Sequence, residues 1–594
     1  MAKRETARDR LNRWQDRVTS ANKVYQDWHQ RYRPDRLLKY YLGEQWRGLT
    51  EEQANDKYVI NLIFPTIETQ LPSLLFHRPK VKVEPRPPHA DDAKSTAGVR
   101  AELMQHTLQT FVDDPKVHFK SVTMLSLRDA MFRFGVIEVG YSADWTDNPN
   151  AGKPALNEKS EDIPDTQQPT KIPKAGSETL WLKRIPPQNW RVSLSSQNVT
   201  SENDWVGYAE WHYVEDVKAN KLYKHTSDLK ASGRLSDTPE TKDEETERHK
   251  GMVRLWKIWD LRQHAKHVFA DGHQDWLMEA KPYTYFPFAA LKFYEVPDEW
   301  YPLPPVFNWL SPQDEKNEIR EMQKTHRRRF YRRYMKTPAV TATEMDKLES
   351  GGDGVYIEVP DVTNPPIKPV EDAPLDGSNW AHLAATDDDF RQISGVGGEQ
   401  RGIADADTAT QANIINVRTE IREADARGKV ADWLAEVCRI MLLCLREKMQ
   451  FPMWVQANTD PFAQDPQALQ ATAGAWRQIT AERLGDIDAD VSVDISSMSP
   501  VTEEAQRVAW NQVLALLTNP ALLMLLMQSE ALLRKTLGFY GIKSEAEVKE
   551  IQKVGQMMLM MQMAAQGGMA GAPSPGGELP VTPAGRPSPG PGVQ

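Results

Sequence analysis

Ser311-Pro-Gln-Asp-Glu-Lys-Asn-Glu-Ile-Arg-Glu-Met-Gln-Lys-Thr-His-Arg-Arg-Arg-Phe-Tyr-Arg-Arg-Tyr-Met-Lys-Thr337 decides the reading of this chain, together with Ser394-Gly-Val-Gly-Gly-Glu-Gln-Arg-Gly402 further on. Ser311-Pro312 reads as a hydroxyl cap followed by proline at the first helical position, where its missing N–H costs nothing. Thr337-Pro338 reads as the stop, because proline disfavours helix in the residue before it. The helix so bounded has roughly 25 residues and a length of about 37 Å. A strand-rich interval follows (Pro338 to Pro369), then a short helix that Ser378 can cap and that runs to Ile393. The glycine loop comes next, and Asp407 or Thr408 opens a helix that can reach Gln450.

The long helix carries its own signature. Val430, Trp433, Leu434, Val437, Cys438, Met441, Leu442 and Leu445 recur at three- and four-residue intervals, one broad apolar stripe. Gly428 offers a place to bend, an expected helix kink. Upstream, residues 1–57 read as a charged, aromatic-rich helical arm. Residues 58–310 read as a mixed α/β body, with strands at Trp205 to Tyr213, Val253 to Trp259 and around Phe286 to Phe293. Within it, residues 146–178 are polar and proline-rich without periodicity, and read as a flexible surface insertion. Residues 451–500 return to the body through a strand at Ala489 to Ile495. Residues 501–565 read as a separate helical unit, and 566–594 as a Gly/Pro-rich disordered tail.

The 594 residues are enough for three or four compact units, and 40% hydrophobic with 26% charged residues fits a globular protein. The fold class expected is α+β, multidomain. The two cysteines, Cys438 and Cys444, cannot build a disulfide framework, match no common zinc spacing, and read as buried thiols. The charged N-terminus shows no secretion signal, and no apolar run is long enough to span a membrane. These features read as a cytoplasmic product without its own membrane anchor.

A net charge of −10 argues against generic DNA binding, which needs basic surface to displace counterions. The charge is segregated, however. Residues 1–50 carry 12 Lys/Arg against 6 Asp/Glu, residues 314–336 carry 9 against 4, and residues 371–410 carry 2 against 9. Arg327, Arg328, Arg329, Arg332 and Arg333 span nearly two helical turns and cannot share one face. They read as helix-end stabilisation, or as contacts to DNA phosphates or to an acidic surface of a neighbouring subunit, divided between inter-subunit pairs and solvent. Asp387, Asp388 and Asp389 read as a solvated face.

The sequence offers no motif for catalysis. Gly152-Lys153 and Gly428-Lys429 lack the following Ser/Thr of a phosphate-binding loop, and the glycine loop lacks its lysine. Asp486-Ile-Asp-Ala-Asp490 begins like a calcium loop, but Val491 and Ser497 stand where glycine and an acid belong, so a strand with an acidic outer face is expected. His264-Ala-Lys-His267 reads as a polar hairpin. Met557-Met-Leu-Met-Met-Gln-Met563 reads as flexible apolar packing within the C-terminal helical unit. Neither an active site nor a cofactor is expected.

Two helices flanking a β insert, with a glycine loop feeding a longer helix, resemble the core of the tailed-bacteriophage portal protein family. Asn61 through Arg86 resembles that family's apolar helix followed by a strand, Pro287-Phe288 through Asn317 its entry into the first stem helix, and Ile393-Ser-Gly395 the opening of its tunnel loop. The resemblance implies a wing (58–310), a first stem helix (311–337), a clip (338–372), a second stem helix (373–393), a tunnel loop (394–407), a long kinked helix (408–450), a return to the wing (451–500) and a helical crown (501–565). It further implies a homo-oligomeric ring, a dodecamer, at the unique capsid vertex of the virion, assembled in the host cytoplasm. Double-stranded DNA would pass through it without sequence readout during genome packaging and ejection. Gly395, Gly397, Gly398, Glu399, Gln400, Arg401 and Gly402 would project into that channel. Asp387, Asp388 and Asp389 would be an acidic wall of it that lets the duplex slide. Val355, Tyr356 and Ile357 of the clip would face the packaging terminase and later the head–tail adaptor or tail, while the wing would touch capsid and scaffold proteins. Neither enzymatic activity nor a membrane partner is implied. Two alternatives stay open: an enzymatic packaging component, motor or nuclease, and a non-portal ring adaptor of the head–tail junction.

Overall fold

The computed structural model describes most of residues 5–498; the main intervals outside the description are 51–55, 86–96, 157–161, 195–199, 232–250, 330–333, 351–362, 370–376, 396–408, 458–474, 480–488 and, apart from Lys553, 499–594. The chain divides into two compact units, Met1–Pro500 and Val501–Gln594. The first is a multidomain α+β assembly of helices and several antiparallel sheets. Among its described residues no helix is long and apolar enough to cross a membrane.

The chain opens with α1 (Ala7–Tyr32), capped by a reciprocal pair: Thr6 Oγ1 accepts from Asp9 N–H, and the Asp9 carboxylate accepts from Thr6 N–H. The Thr6 hydroxyl and then its N–H, both donating to the Asp9 carboxylate, hold that carboxyl below the usual carboxylate range. Leu11, Trp14, Val18, Ala21, Tyr25 and Trp28, spaced three or four apart, form its buried stripe. Residues 1–57, expected to be an arm, are therefore no appendage: α1 is a core element. Charged residues fill every gap between its aromatics and mask the stripe. α2 (Pro34–Leu42), α3 (Ile63–Leu74), strand β1 (Lys80–Pro85), α4 (Ala97–Asp113) and α5 (Phe119–Phe132) follow.

Two sheets make the body. In the first, β2 (Gly135–Ser142) lies between β3 (Thr179–Arg184) and a later strand, β9 (Phe288–Leu291). The second is a five-stranded antiparallel meander of β4 (Trp190–Val192), β5 (Trp205–Tyr213), β6 (Met252–Asp260), β7 (Ala265–Ala270) and β8 (Met278–Pro282) in spatial order. Alternation sends its side chains two ways. Trp205, Ala209, Trp256, Ile258 and Phe269 pack under Leu11, Trp14, Val18 and Ala21 of α1. On the other side Tyr208 and Trp259 join Trp190, Phe288 and Trp300 in a second core. Close packing leaves no room at Gly140, where a Cβ would overlap the Trp181 ring. Arg191 ties α1 to this layer although fully buried: Nε donates to Asn22 Oδ1 (2.5 Å), Nη1 donates to the carbonyls of Gln188 and Trp190, and the guanidinium lies 3.9 Å from the Tyr25 ring centroid.

Residues 146–178 differ from the irregular insertion expected. Trp145–Asp147 pairs with Lys171–Pro173, and Pro154–Leu156 with Asp162–Gln167, two short ladders. Strands this short leave no run of hydrophobic alternation to read, and Trp145–Asp147 is exposed throughout.

The remaining elements belong to the segment that governs the candidate site. After a 3₁₀ turn at Pro305–Trp309 comes α6 (Leu310–Arg329), then strand β10 (Tyr334–Lys336), a helix at Ala342–Ser350, strand β11 (Ile367–Pro369), α7 (Ser378–Ser394) and α8 (Ala409–Lys448). The expected first stem helix over 311–337 is shorter at its far end. It begins at Leu310 because the 3₁₀ turn runs straight into it, and it does not reach Thr337. Tyr334, Met335 and Lys336 instead pair with Pro369, Lys368 and Ile367, exchanging helix for ladder bonds three residues before Thr337-Pro338. α7 matches the expected helix, although Gly377, and not Ser378, is its N-cap.

α8, at 40 residues about 60 Å long, buries its predicted stripe in the main core with α2, α3, α4 and α5. The helix continues through Gly428, where a Cβ would meet nothing within 4 Å. Burial pushes the Cys438 thiol up to about 12, and the Cys444 thiol up to about 11 even though Tyr285 O–H donates to its sulfur at 3.0 Å. Both are inert core thiols. Finally β12 (Ala489–Asp494) returns to pair antiparallel with β1, with Val493 buried and Asp490 and Ser492 exposed, as the calcium-loop alternative would not have it.

Candidate functional site

The helices α6, α7 and α8 carry Arg327, Arg328 and Arg329, the three aspartates 387–389, and Gly428 of the candidate residues named from the sequence. α6 has two unlike faces. One is polar and buried: Gln313, Lys316 and Asn317 are all under a tenth exposed. Gln313 clamps an extended segment, accepting from Leu62 N–H (2.8 Å) and donating to the Ile60 carbonyl (2.7 Å). Asn317 accepts from Ile60 N–H (3.0 Å) and donates to Gln45 Oε1 (2.5 Å). One turn on, Glu321 accepts from Tyr58 N–H (2.8 Å), and Lys324 donates to the Asp56 carbonyl. Positions 313, 317, 321, 324 and 328 thus form one strip that grips residues 56–62. Each amide replaces water on a backbone group that would otherwise be buried bare, at about 1–3 kcal/mol per group.

The acidic cluster divides. Lys316 Nζ, nearly buried, is paired with the Asp387 carboxylate of α7, so α6 and α7 lie side by side. Trp309 and Phe390 meet beside them with ring centroids 6.2 Å apart, and Thr386, Phe390 and Ser394 form the buried edge of α7. Asp388 and Asp389 are exposed; Asp388 pairs one turn away with Arg391 (3.4 Å). Only Asp388 and Asp389 therefore remain as acids of that cluster on an open face. The charge complementarity between 314–336 and 371–410 is partly spent within one chain.

The basic run divides as well. Arg327 and Arg328 are exposed, and Arg328 reaches Asp56 at 3.2 Å with both side chains more than half exposed. A pair so wet is worth about 0–1 kcal/mol. Arg329 is the last residue of α6. Arg332 and Arg333 lie outside the described residues, as do the clip positions Val355, Tyr356 and Ile357.

Of the expected tunnel loop only Gly395 is described; Gly397, Gly398, Glu399, Gln400, Arg401 and Gly402 lie outside. Gly395 closes α7 in the left-handed conformation (φ 70°), its N–H donating to the Arg391 carbonyl at 2.9 Å. Two other helices hold this end. Gln70 of α3 donates to the Ser394 carbonyl (3.0 Å), and Arg422 of α8 donates to the Gln392 carbonyl (2.7 Å). Arg427 in turn donates to the Ser73 carbonyl (3.0 Å) and pairs with Glu423. The end of α7 at Gly395 is thus fixed by α3 and α8. Gln70, Arg422 and Arg427 escape sequence reasoning because nothing local marks a side chain whose partner is a distant carbonyl.

The helices α6, α7 and α8 also leave large apolar side chains in solvent: Met322 on α6, Trp380 and Ile393 on α7, and Ile421 on α8. Trp380 is 58% and Ile421 64% exposed, unlike every tryptophan of the body's cores. Among the described residues no cluster of three or more His, Cys, Asp or Glu is arranged to hold a metal.

No family model matches the chain, and no curated protein matches it. Among solved structures it is similar to a chain of the virion of a native gene transfer agent particle, at 13% identity and a TM-score of 0.32, covering 64% of this chain and 77% of that one. Likeness at that level fixes neither fold nor function.

Proposed function

We propose that the chain is a portal-type subunit: a ring-forming protein at one capsid vertex whose central hole carries double-stranded DNA during packaging and ejection. The observation that supports it is the order and joining of elements from Leu310 to Lys448. α6 and α7 lie side by side through Lys316 and Asp387, a β10–β11 ladder closes the excursion between them, and a glycine ends α7 ahead of the long α8. Portal stems, clips and tunnel loops follow each other in that order. In this reading the solvent-facing Met322, Trp380, Ile393 and Ile421 are covered by neighbouring copies, since large apolar groups left in solvent favour association. Asp388 and Asp389 would face the channel and repel DNA phosphates, so that a duplex slides.

The ring would have the twelve copies that the resemblance implies, and the packaging terminase, head–tail adaptor, tail, capsid and scaffold proteins would be its partners. The protein itself would perform no catalysis. Negative-stain imaging of the purified protein tests the proposal: rings with a stain-filled centre are expected, and a field of dispersed monomers at every concentration would overturn it. Removing residues 396–402 should leave rings intact and impair DNA retention; loss of ring formation would instead remove the tunnel assignment.

A further inference from the structure

Away from those helices, lysine amines gather around one pair of stacked rings in the body. Tyr208 of β5 and Trp259 of β6 lie with centroids 5.8 Å apart and planes 17° from parallel. Lys183 of β3 and Lys257 of β6 lean on Tyr208, their Nζ atoms 5.6 and 5.4 Å from its centroid. Lys266 of β7 lies on Trp259, its Nζ 4.2 Å from the centroid, and Lys281 of β8 is its cross-strand partner. Two carboxylates stand against these four amines. Glu210 is shared by Lys183 (2.5 Å), Lys257 (2.6 Å) and His212 (3.2 Å), and buried Glu138 of β2 accepts from the Tyr208 O–H at 2.8 Å.

The amines of Lys266 and Lys281 have no hydrogen-bond or ion-pair partner among the described residues. Lys281 is exposed; Lys266 is half-buried, and its Nζ still touches solvent. Burial lowers the pKa of the Lys266 amine to about 8, the charges of Lys257, Lys281 and Lys183 adding to that and Glu138 opposing it. Near neutral pH far more of this amine is free base than of an ordinary lysine. Carbon dioxide reacts only with the free base, and it is small and uncharged enough to reach a half-buried amine. The product is an anion, which surplus cations stabilise. With Lys266 protonated, the four lysines face two carboxylates. With Lys266 turned into an anion, Lys183, Lys257 and Lys281 face three.

We propose that Lys266 is a carbon dioxide-binding lysine, forming a carbamate on Nζ that the neighbouring lysines hold. The free-base Nζ attacks the carbon of carbon dioxide and an N–C bond forms. One C=O electron pair moves onto oxygen, and an amine proton passes to water, leaving –NH–COO⁻ with no change of oxidation state. Uptake exchanges a half-buried, unpaired cation for an anion among cations, so carbon dioxide stabilises the folded sheet. The inference is independent of the portal reading.

Carbon NMR of the full-length chain under isotope-labelled carbon dioxide, with trapping by triethyloxonium and peptide mass spectrometry, tests it. A carbamate located to Lys266 is expected, its occupancy growing between pH 7 and pH 9 at constant dissolved carbon dioxide as the free base grows. Lys266→Met should abolish the signal. Lys281→Met, at an exposed position on the edge strand, should lower occupancy about threefold, the size of one partly exposed charge contact. Lys39→Met, on the exposed side of α2, should leave it unchanged. Location by mass is made on the wild type, which keeps the test decisive if Lys266→Met fails to fold. Absence of a carbamate on Lys266 in the wild type, or a signal that survives Lys266→Met, would overturn the site. Undiminished occupancy in Lys281→Met would overturn the hold of the neighbouring cations.

Discussion

The body around α1 and the helices α6, α7 and α8 solve the same problem in opposite ways. The body buries most of its large rings: Trp190, Trp256 and Trp300 are all but fully buried, aromatic rings meet in chains, and even the buried guanidinium of Arg191 finds oxygen acceptors, although Trp145 and Leu194 stay exposed. α6 and α7 are held largely by amides and an ion pair and leave Met322, Trp380 and Ile393 exposed, while α8, anchored in the main core from Val430 to Leu445, leaves Ile421 exposed at its other end. A region that finishes its core within one chain needs no neighbour. Large apolar groups left in solvent favour association.

Substitution of tryptophan in each region sets the contrast most sharply. Trp190 meets Phe288 at 5.0 Å and Trp300 at 6.2 Å, and Trp190→Ala should lower unfolding free energy by about 3–5 kcal/mol in urea titrations. Trp380→Ala should change it by no more than about 0.5 kcal/mol, while reducing self-association. Similar losses at both positions would erase the distinction. Next in size is Gln313→Ala, which strands two backbone groups at residues 60 and 62 and should lose about 1–3 kcal/mol. A neutral result would mean that water replaces the amide and that this face is less closed than it looks.

Charge gives a third contrast. Burial lowers the Lys266 amine to about 8, against an ordinary value near 10.4. Below pH 8 the amine is protonated in folded and unfolded chains alike, and the folded one bears the whole burial cost. Between the two values the folded chain sheds its proton first and the cost fades. Lys266→Met should therefore raise the melting temperature at pH 7, with a gain that shrinks toward pH 10.5. Destabilisation at pH 7 would show that the contact with the Trp259 ring, 4.2 Å away, outweighs burial. Smallest is Arg328→Ala: the wet pair with Asp56 should count for less than about 1 kcal/mol, and less again in high salt.

Local periodicity made part of this legible in the sequence. The α8 stripe from Val430 to Leu445, the strand Trp205–Tyr213, the extent of α7 and the acid-faced return strand could be read because spacing alone encodes them. The core role of α1 is obscured by interleaved charges, although Leu11, Trp14, Val18, Ala21, Tyr25 and Trp28 carry the helical spacing in plain view. The grip of Gln313 and Asn317 on residues 60–62 and the Lys316–Asp387 pair were not legible. Each joins positions tens to hundreds of residues apart, and a polar side chain in a sequence does not announce its partner.

Sedimentation velocity on wild type and on the triple variant Met322→Ser, Trp380→Ser, Ile421→Ser tests most directly whether the bare helix surface is reserved for copies of the same chain. The wild type should sediment as one closed oligomer, and the variant as a folded monomer with an unchanged melting temperature. A wild type that remains monomeric across concentrations, or a variant that assembles as readily, would contradict the account.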